Sequence, residues 1–349
     1  MAHVFAKSLP RLALCAVAGL ALPGCSSVHL YQDHDQVLSR TLGYDDFEQH
    51  VRAGPAAARI LPYALLTEQS YNDATYDTEA AAPVTRGCIP DDPASCADAP
   101  RYARRAADIL RRWTYVWGCG TREQCRVATA GSPAPVGGLG VQVWVNDPAH
   151  CTEAVIAFRG TDGGDEGDFV SNLHWLTRAL PVYDQYDEVR DHIRDFLSNI
   201  TGHRCYRAGR THITAVGHSL GGGLAQLASY ADRRIERVYA FDPSMVTGYF
   251  SVDRAAREAN VQGHRAERIF EHGEILAYIR LLMRQFIPRS GCNPRIVSVR
   301  FNELKGNGIF QHGLTPFING LMREAKAEAP ERDPVVAWPC GAQVAAAPG

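Results

Sequence analysis

The chain has 349 residues, and its 36 Lys and Arg residues nearly balance its 38 Asp and Glu residues, for a formal net charge of −2 at neutral pH. Neither a basic tract nor a helix with an excess of Lys and Arg along one side is visible, so the sequence does not indicate nucleic-acid binding. The length is sufficient for one large domain with its own buried core.

The first 24 residues have the pattern of an export signal, in which basic residues precede an apolar run, here residues 12–22, that is too short to span a bilayer. The run ends in Leu-Pro-Gly-Cys-Ser-Ser, which resembles a bacterial lipobox, where the signal is cleaved before a cysteine that becomes lipidated. An ordinary secretory signal with an incidental cysteine is the alternative. We therefore predict a lipoprotein signal peptide over residues 1–24. Acyl chains on Cys25 would attach the protein to a membrane of the cell envelope. The residue that follows, Ser26, rather than an aspartate, matches the pattern by which such lipoproteins are sorted to the outer membrane.

The chain contains ten cysteines, and eight remain once one leaves with the signal and Cys25 is assigned to lipid. An even number in an exported chain favours disulfides that staple its loops. Proximity along the chain favours the first two of the following pairs, and the other two rest on elimination alone: Cys88–Cys96, Cys119–Cys125, Cys151–Cys205 and Cys292–Cys340. Eight cysteines allow 105 connectivities. A zinc site is the alternative, but no Cys-x-x-Cys pair is present and no metal is predicted.

Three elements are predicted before the sheet, after a polar N-terminal spacer over residues 25–54. They are a helical region over 55–76 that Pro62 interrupts or begins, a Pro-rich and Cys-rich surface loop over 80–100, and an amphipathic helix over 101–117.

Strands and helices alternate from residue 140 onward. Strands are predicted at 140–146, 154–158, 213–216, 235–241, 267–271 and 295–301, and a helix is predicted at 186–200. Such alternation indicates an α/β domain with a mainly parallel central sheet and helices on both faces.

Ser219 lies between the β-prone run at 213–216 and a stretch whose small and apolar residues recur at helical spacing. Gly217 and Gly221 leave room for a turn too tight for side chains, so the hydroxyl would stand above the strand ends and the Leu220 N–H would point toward the same space. Gly-x-Ser-x-Gly alone recurs by chance in glycine-rich turns. The preceding strand and following helix are the context of a nucleophile elbow, and Ser219 is therefore the predicted nucleophile.

A serine hydroxyl needs a base, a group that orients the base, and donors for the developing oxyanion. Of the three histidines after Ser219, His312 follows the last predicted strand and precedes a C-terminal helix. It is the favoured base, and a loop histidine that caps the helix is the alternative. Two carboxylates, Asp242 and Glu274, follow successive strands, and either could reach the histidine. Glu274 is the favoured acid, and Asp242 is the alternative.

Two motifs, Phe-Arg-Gly-Thr ending at Thr161 and Gly-His-Ser-Leu-Gly-Gly around Ser219, resemble lipase class 3, the fungal-lipase-like branch of the α/β-hydrolases. The resemblance covers about residues 141–324. It implies an α/β-hydrolase fold and two oxyanion donors, Thr161 and the Leu220 backbone N–H. It also implies a lid over 163–186, for which an ordinary amphipathic core helix is the alternative.

The family's acid is an aspartate that aligns with Glu274. This chain departs from the family there, because it has a glutamate and lacks the prolines that usually follow. It also has Phe-Asp-Pro-Ser at Asp242, where the family more often shows Phe-Gly-Ser-Pro. Both departures keep Asp242 open as the acid.

These observations lead to the expectation of a single α/β-hydrolase domain over residues 55–349, with a catalytic core of about 140–325. The expected activity is a serine ester hydrolase of the lipase, phospholipase or esterase type, which cleaves acyl esters, with lipids as the favoured substrates. No cofactor is required. The alternatives are an inactive hydrolase-fold lipoprotein used for binding or scaffolding, and an amidase or peptidase on the same fold.

Overall fold

The computed structural model of the chain describes residues 36–41, 48–72, 93–120, 139–161, 184–277, 280, 287–288 and 290–325. All of them lie in the second of two units into which the chain divides, residues 34–349. Within these ranges, no helix is both long enough and apolar enough to cross a membrane.

The described strands form one nine-stranded sheet in the order β2-β1-β9-β8-β7-β6-β5-β4-β3. Their bounds are β1 (Gln36–Thr41), β2 (Glu48–Arg52), β3 (Trp113–Cys119), β4 (Val141–Asn146), β5 (Glu153–Phe158), β6 (His212–His218), β7 (Ile235–Phe241), β8 (Arg265–Glu271) and β9 (Arg295–Phe301). The five strands from β5 to β9 are parallel to one another. The outer pairings on both sides are antiparallel.

The sheet is therefore mixed, and the prediction of a mainly parallel sheet holds only for its centre. The connection from β4 to β5 is a short turn at residues 147–152, and such a turn can only join antiparallel strands. Parallel strands need a crossover, which the helices after β5, β6 and β7 provide.

The predicted spacer over residues 25–54 is wrong at residues 36–41 and 48–52, because these form β1 and β2, which extend the sheet beyond β9. Their sequences, QVLSRT and EQHVR, are short and largely polar. Such edge strands lack the apolar alternation by which a strand is recognised.

Seven α-helices lie wholly in the described part of the chain, together with a 3-10 helix at Tyr249–Ser251: α1 (Ala53–Gln69), α2 (Pro93–Leu110), α3 (Gln185–Thr201), α4 (Leu220–Ala231), α5 (Arg254–Asn260), α6 (Gly308–Gln311) and α7 (Leu314–Ala325). Two predictions need correction. Residues 93–100 belong to α2 and not to a surface loop, and residues 113–117 belong to β3 and not to a helix. The β3 segment is rich in aromatic residues, which favour strands.

Helices cover both faces of the sheet, as expected for an α/β protein. Buried residues of α1, α2 and α7 pack together on one face, and buried residues of α3 and α4 pack on the other. The carboxyl ends of the parallel strands lie along one edge, where open α/β sheets place their ligands. The loops after β6, β8 and β9 therefore converge at that edge.

One predicted disulfide is confirmed. Cys151, just before β5, is bonded to Cys205, just after α3, with their Cα atoms 5.3 Å apart. The other predicted pairs, Cys88–Cys96, Cys119–Cys125 and Cys292–Cys340, each include a cysteine whose side chain lies outside the described part of the chain, so they remain predictions.

Candidate active site

The turn between β6 and α4 holds Ser219 in a strained backbone conformation. Its φ is 54° and its ψ is −120°, a region that non-glycine residues rarely adopt and that is concentrated at functional sites. The flanking glycines make the turn possible, because a Cβ on Gly217 would collide with the Gly221 carbonyl and a Cβ on Gly221 would collide with the Phe158 carbonyl. The serine is thereby held between the ends of β5 and β6 and the first turn of α4.

His312 reaches this serine from the short helix after β9. Asn307 caps α6 by accepting from the N–H groups of Ile309 and Phe310, and His312 follows the last residue of that helix. Its Nε2 lies 3.1 Å from Ser219 Oγ. The predicted base and the predicted nucleophile are therefore in hydrogen-bond contact, although 93 residues separate them in the chain.

Glu274 contacts the other ring nitrogen of this histidine. Its Oε2 is 2.8 Å from His312 Nδ1 and also accepts from the Leu276 N–H at 2.8 Å. The loop that bears Glu274 is joined to α6, because the Ile275 N–H donates to the Gly308 carbonyl at 2.9 Å. The structure thus brings Ser219, His312 and Glu274 into one hydrogen-bonded series.

Asp242, the alternative acid, is buried but has no hydrogen bond to His312. One of its carboxylate oxygens accepts from the Glu271 N–H at 3.1 Å, and the other has no partner. Burial raises the pKa of Asp242 to about 8, against the lowering effects of the Arg280 charge and of the Glu271 hydrogen bond. Burial therefore favours the uncharged carboxylic acid over the carboxylate, which is the form that would pair with an imidazolium.

Burial also lowers the pKa of His312 to about 3, and the charge of Arg280 contributes to the shift. The imidazole is therefore neutral at neutral pH. Because Nδ1 faces a carboxylate, it carries the ring proton, which leaves Nε2 as an acceptor toward Ser219. This is the protonation state that a general base requires.

Of the two predicted oxyanion donors, Leu220 directly follows Ser219, and Thr161 follows a glycine that packs against the turn. Leu220 is the first residue of α4, and the first N–H groups of a helix have no partner inside it and favour negative charge. Thr161 follows the end of β5 by three residues. The residue before it, Gly160, packs against the turn so closely that a Cβ there would lie 2.6 Å from the His218 carbonyl oxygen.

Sequence reasoning missed Arg280, which no motif marks. Its guanidinium is paired with Glu274 Oε1 in a buried ion pair and donates to the Pro243 carbonyl at 2.9 Å. It therefore ties the Glu274 loop to the turn after β7. Burial lowers the pKa of Arg280 to about 9, which still leaves it charged at neutral pH.

Among the described residues, one group of side chains is close enough to hold a metal ion, namely His218, Asp242 and His312, whose ligand atoms lie within 4.8 Å of one another. Each ring nitrogen of both histidines already takes part in a hydrogen bond. A metal ion would have to displace one of these bonds, so the arrangement fits a hydrogen-bonded site better than a metal centre.

Neither a protein-family model nor a curated protein matches the sequence.

Solved structures give distant similarities. A lipase from Rhizopus microsporus var. chinensis is 13% identical, with a TM-score of 0.32 over 50% of this chain and 59% of that chain. Lipase II from Rhizopus niveus is 13% identical, with a TM-score of 0.34 over 60% of this chain and 82% of that chain. The thermophilic carboxylesterase EstE1, from a metagenomic library, is 15% identical, with a TM-score of 0.31 over 60% of this chain and 95% of that chain.

This chain spans less than two thirds of the first of these lipases. Likeness as distant as this carries no argument about mechanism or substrate. Two further predictions, the lid over residues 163–186 and the lipidated Cys25, fall largely or wholly outside the described residues.

Proposed function

We propose that this protein is a serine ester hydrolase in which Ser219 is the nucleophile, His312 the general base and acid, and Glu274 the acid that orients the histidine. The observation that supports it is the unbroken series of contacts from Glu274 Oε2 through both ring nitrogens of His312 to Ser219 Oγ. A buried neutral imidazole between a hydroxyl and a carboxylate is the arrangement that activates serine for acyl transfer.

In the first half of the reaction, Ser219 Oγ forms a bond to the ester carbonyl carbon while His312 Nε2 takes the hydroxyl proton. The carbonyl oxygen becomes an oxyanion, which the backbone N–H of Leu220 and the donor at Thr161 stabilise. One such donor is worth about 3–4 kcal/mol in other enzymes. Glu274 stabilises the imidazolium, which then gives its proton to the departing alcohol as the carbon–oxygen bond breaks.

In the second half, a water molecule attacks the acyl-enzyme. His312 takes a proton from the water and returns it to Ser219 Oγ as the acyl–oxygen bond breaks, and the acid product leaves. Every proton therefore passes through one ring nitrogen, which explains why the other must be held in a single protonation state.

The substrate class in this proposal is an acyl ester of a lipid. The support is the lipobox-like sequence around Cys25, since acyl chains on this cysteine would hold the enzyme at a membrane surface of the cell envelope, where lipid esters are concentrated. An amide substrate would use the same three residues, so the reaction is tested directly with esters and matched amides.

The test is covalent labelling of the purified full chain with a fluorophosphonate, which reacts with activated serines. We expect labelling of the wild-type protein and none of Ser219→Ala. Ser229→Ala is the matched control, because Ser229 lies on α4 and only donates to the Gln226 carbonyl. Labelling that survives Ser219→Ala would refute the assignment, and an unlabelled wild type would favour a binding or scaffolding protein. A p-nitrophenyl ester series of increasing acyl length then reports substrate class.

A further inference from the structure

A tyrosine and a histidine that take no chemical part in the proposed reaction connect two backbone segments of the site, at Gly160 and at His312. Tyr71 lies just after α1, and His218 is the last residue of β6, directly before Ser219. The Tyr71 hydroxyl is 3.1 Å from the Gly160 backbone nitrogen and 3.0 Å from His218 Nδ1. At its other ring nitrogen, His218 Nε2 is 2.8 Å from the His312 backbone carbonyl.

The donor and the acceptor of each hydrogen bond in this series follow from the two backbone groups at its ends, the His312 carbonyl and the Gly160 N–H. A carbonyl oxygen can only accept, so His218 Nε2 carries a proton and donates to His312. Burial, together with the nearby His312, lowers the pKa of His218 to about 3, so the ring is neutral and Nδ1 is an acceptor. The Tyr71 hydroxyl must therefore donate to Nδ1. Its oxygen accepts from the Gly160 N–H, which can only donate.

Each end of the series belongs to a different part of the proposed machinery. One end holds the backbone of Gly160, which precedes the oxyanion donor Thr161. The other end holds the backbone of His312, whose side chain is the base. Gly160 is required for this contact, because a Cβ at that position would collide with the Tyr71 hydroxyl.

We propose that Tyr71 and His218 are positioning residues that set the oxyanion donor and the general base relative to Ser219. This inference rests on the proposed function. Neither residue touches the reacting atoms, and each acts through backbone groups. Since catalysis is sensitive to displacements of about 1 Å, loss of either residue should reduce turnover more than substrate binding.

The first experiment compares Tyr71→Phe with Tyr63→Phe in the full chain. Tyr63 is a matched control because it lies on α1 and its hydroxyl donates at 3.0 Å to Glu153, a carboxylate outside the series. Tyr71→Phe removes two hydrogen bonds, those with the Gly160 N–H and with His218 Nδ1. We therefore expect kcat to fall about 10- to 100-fold with KM within about twofold. The rate of fluorophosphonate labelling should fall in parallel. Tyr63→Phe should leave both rates unchanged.

The second experiment separates positioning from a general loss of packing. His218→Gln keeps an N–H donor for the His312 carbonyl, whereas His218→Leu keeps none. We expect His218→Gln to be the more active variant. Adding Tyr71→Phe to His218→Leu should cost little more, because residues in one hydrogen-bond series are not additive.

A measurement on the folded wild type covers the case in which these variants are unstable. Nitrogen-15 NMR of labelled histidine should show His218 protonated on Nε2 alone at neutral pH. A proton on Nδ1, or a doubly protonated ring, would overturn the inference. So would an active wild type in which Tyr71→Phe matches Tyr63→Phe, and the proposed function would then still stand. A wild type that neither hydrolyses esters nor reacts with fluorophosphonate would overturn both the proposed function and this inference.

Discussion

Replacing Glu274 by glutamine probes the acid without changing the size of the side chain. In the native protein one carboxylate oxygen accepts from His312 Nδ1 and the other is paired with Arg280. An amide can supply an acceptor to only one of them. If its oxygen faces Arg280, its NH₂ group faces Nδ1, and the imidazole must then place its proton on Nε2. In that tautomer Nε2 can no longer accept the proton of Ser219.

The expected cost has two components. The wrong histidine tautomer reduces kcat about 10⁴-fold in a serine protease with the same arrangement, which corresponds to about 5.4 kcal/mol of transition-state stabilisation. The glutamine also leaves Arg280 as a buried charge without an anionic partner. Breaking a buried ion pair in this way costs about 3–5 kcal/mol of unfolding free energy.

The assay is steady-state hydrolysis of a p-nitrophenyl ester, with chemical denaturation of the same samples to measure unfolding free energy. Asp242→Asn is the matched control, because Asp242 has no hydrogen bond to His312 and an amide can keep the acceptor for the Glu271 N–H. We expect kcat of Asp242→Asn to stay within about threefold of wild type, as for a substitution that leaves the reacting groups untouched.

Glu274 is not the acid if Glu274→Gln retains kcat within about tenfold of wild type while Asp242→Asn loses several orders of magnitude. That result would make Asp242 the acid. A loss of stability without a loss of turnover would mean that Glu274 stabilises the fold as the partner of Arg280 and does not act in catalysis.

Three further predictions concern pH and covalent stability. Because burial lowers the pKa of His312, a pH profile of kcat/KM should show its acid limb below about 6.5, the ordinary value for histidine. Replacing Cys151 and Cys205 by alanine should reduce the unfolding free energy measured in guanidinium by about 4 kcal/mol, given a sequence separation of 54 residues. The folded-state pKa of Asp242 is about 8, above the ordinary 3.8, so its contribution to stability is complete below that ordinary value and is lost as the pH rises through 8. Wild type should therefore lose more stability than Asp242→Asn over that interval.

Each of these has a result that would contradict it. An acid limb at or above the ordinary histidine value would mean that burial does not control His312. Equal stability of the oxidised wild type and the double alanine variant would mean that the disulfide does not restrict the unfolded chain. Parallel stability curves for wild type and Asp242→Asn would show that Asp242 is ionised in the folded protein.

Much of the fold could be predicted because its signals are local. The strands at 235–241 and 295–301 have the bounds that their apolar runs predict, and the α/β class follows from the alternation of strands and helices. The errors lie at the edges of the sheet. There, β1 and β2 are short and polar, and β3 follows an arginine-rich helix without a break in composition, so no periodic pattern separates them from their neighbours.

The residues of the site also differ in whether their local sequence marks them. Ser219 is marked by its own neighbours, because the two glycines that permit its strained turn stand two positions to either side. The choice between Glu274 and Asp242 has no such marker, since each acid follows a strand at the same edge of the sheet. The hydrogen bond from His312 spans 38 residues, and its partner depends on how β7, β8 and β9 lie side by side.

The sequence by itself therefore determined the tight turn at Ser219, the central strands and the position of His312 after the last strand, all of which depend on residues close together in sequence. The tertiary structure alone decided which carboxylate meets His312, that Arg280 lies against that carboxylate, and that Tyr71 and His218 join the Gly160 backbone to that of His312. These are distances between remote side chains. They are set by strand order and by packing across the sheet, which no local pattern of residues specifies.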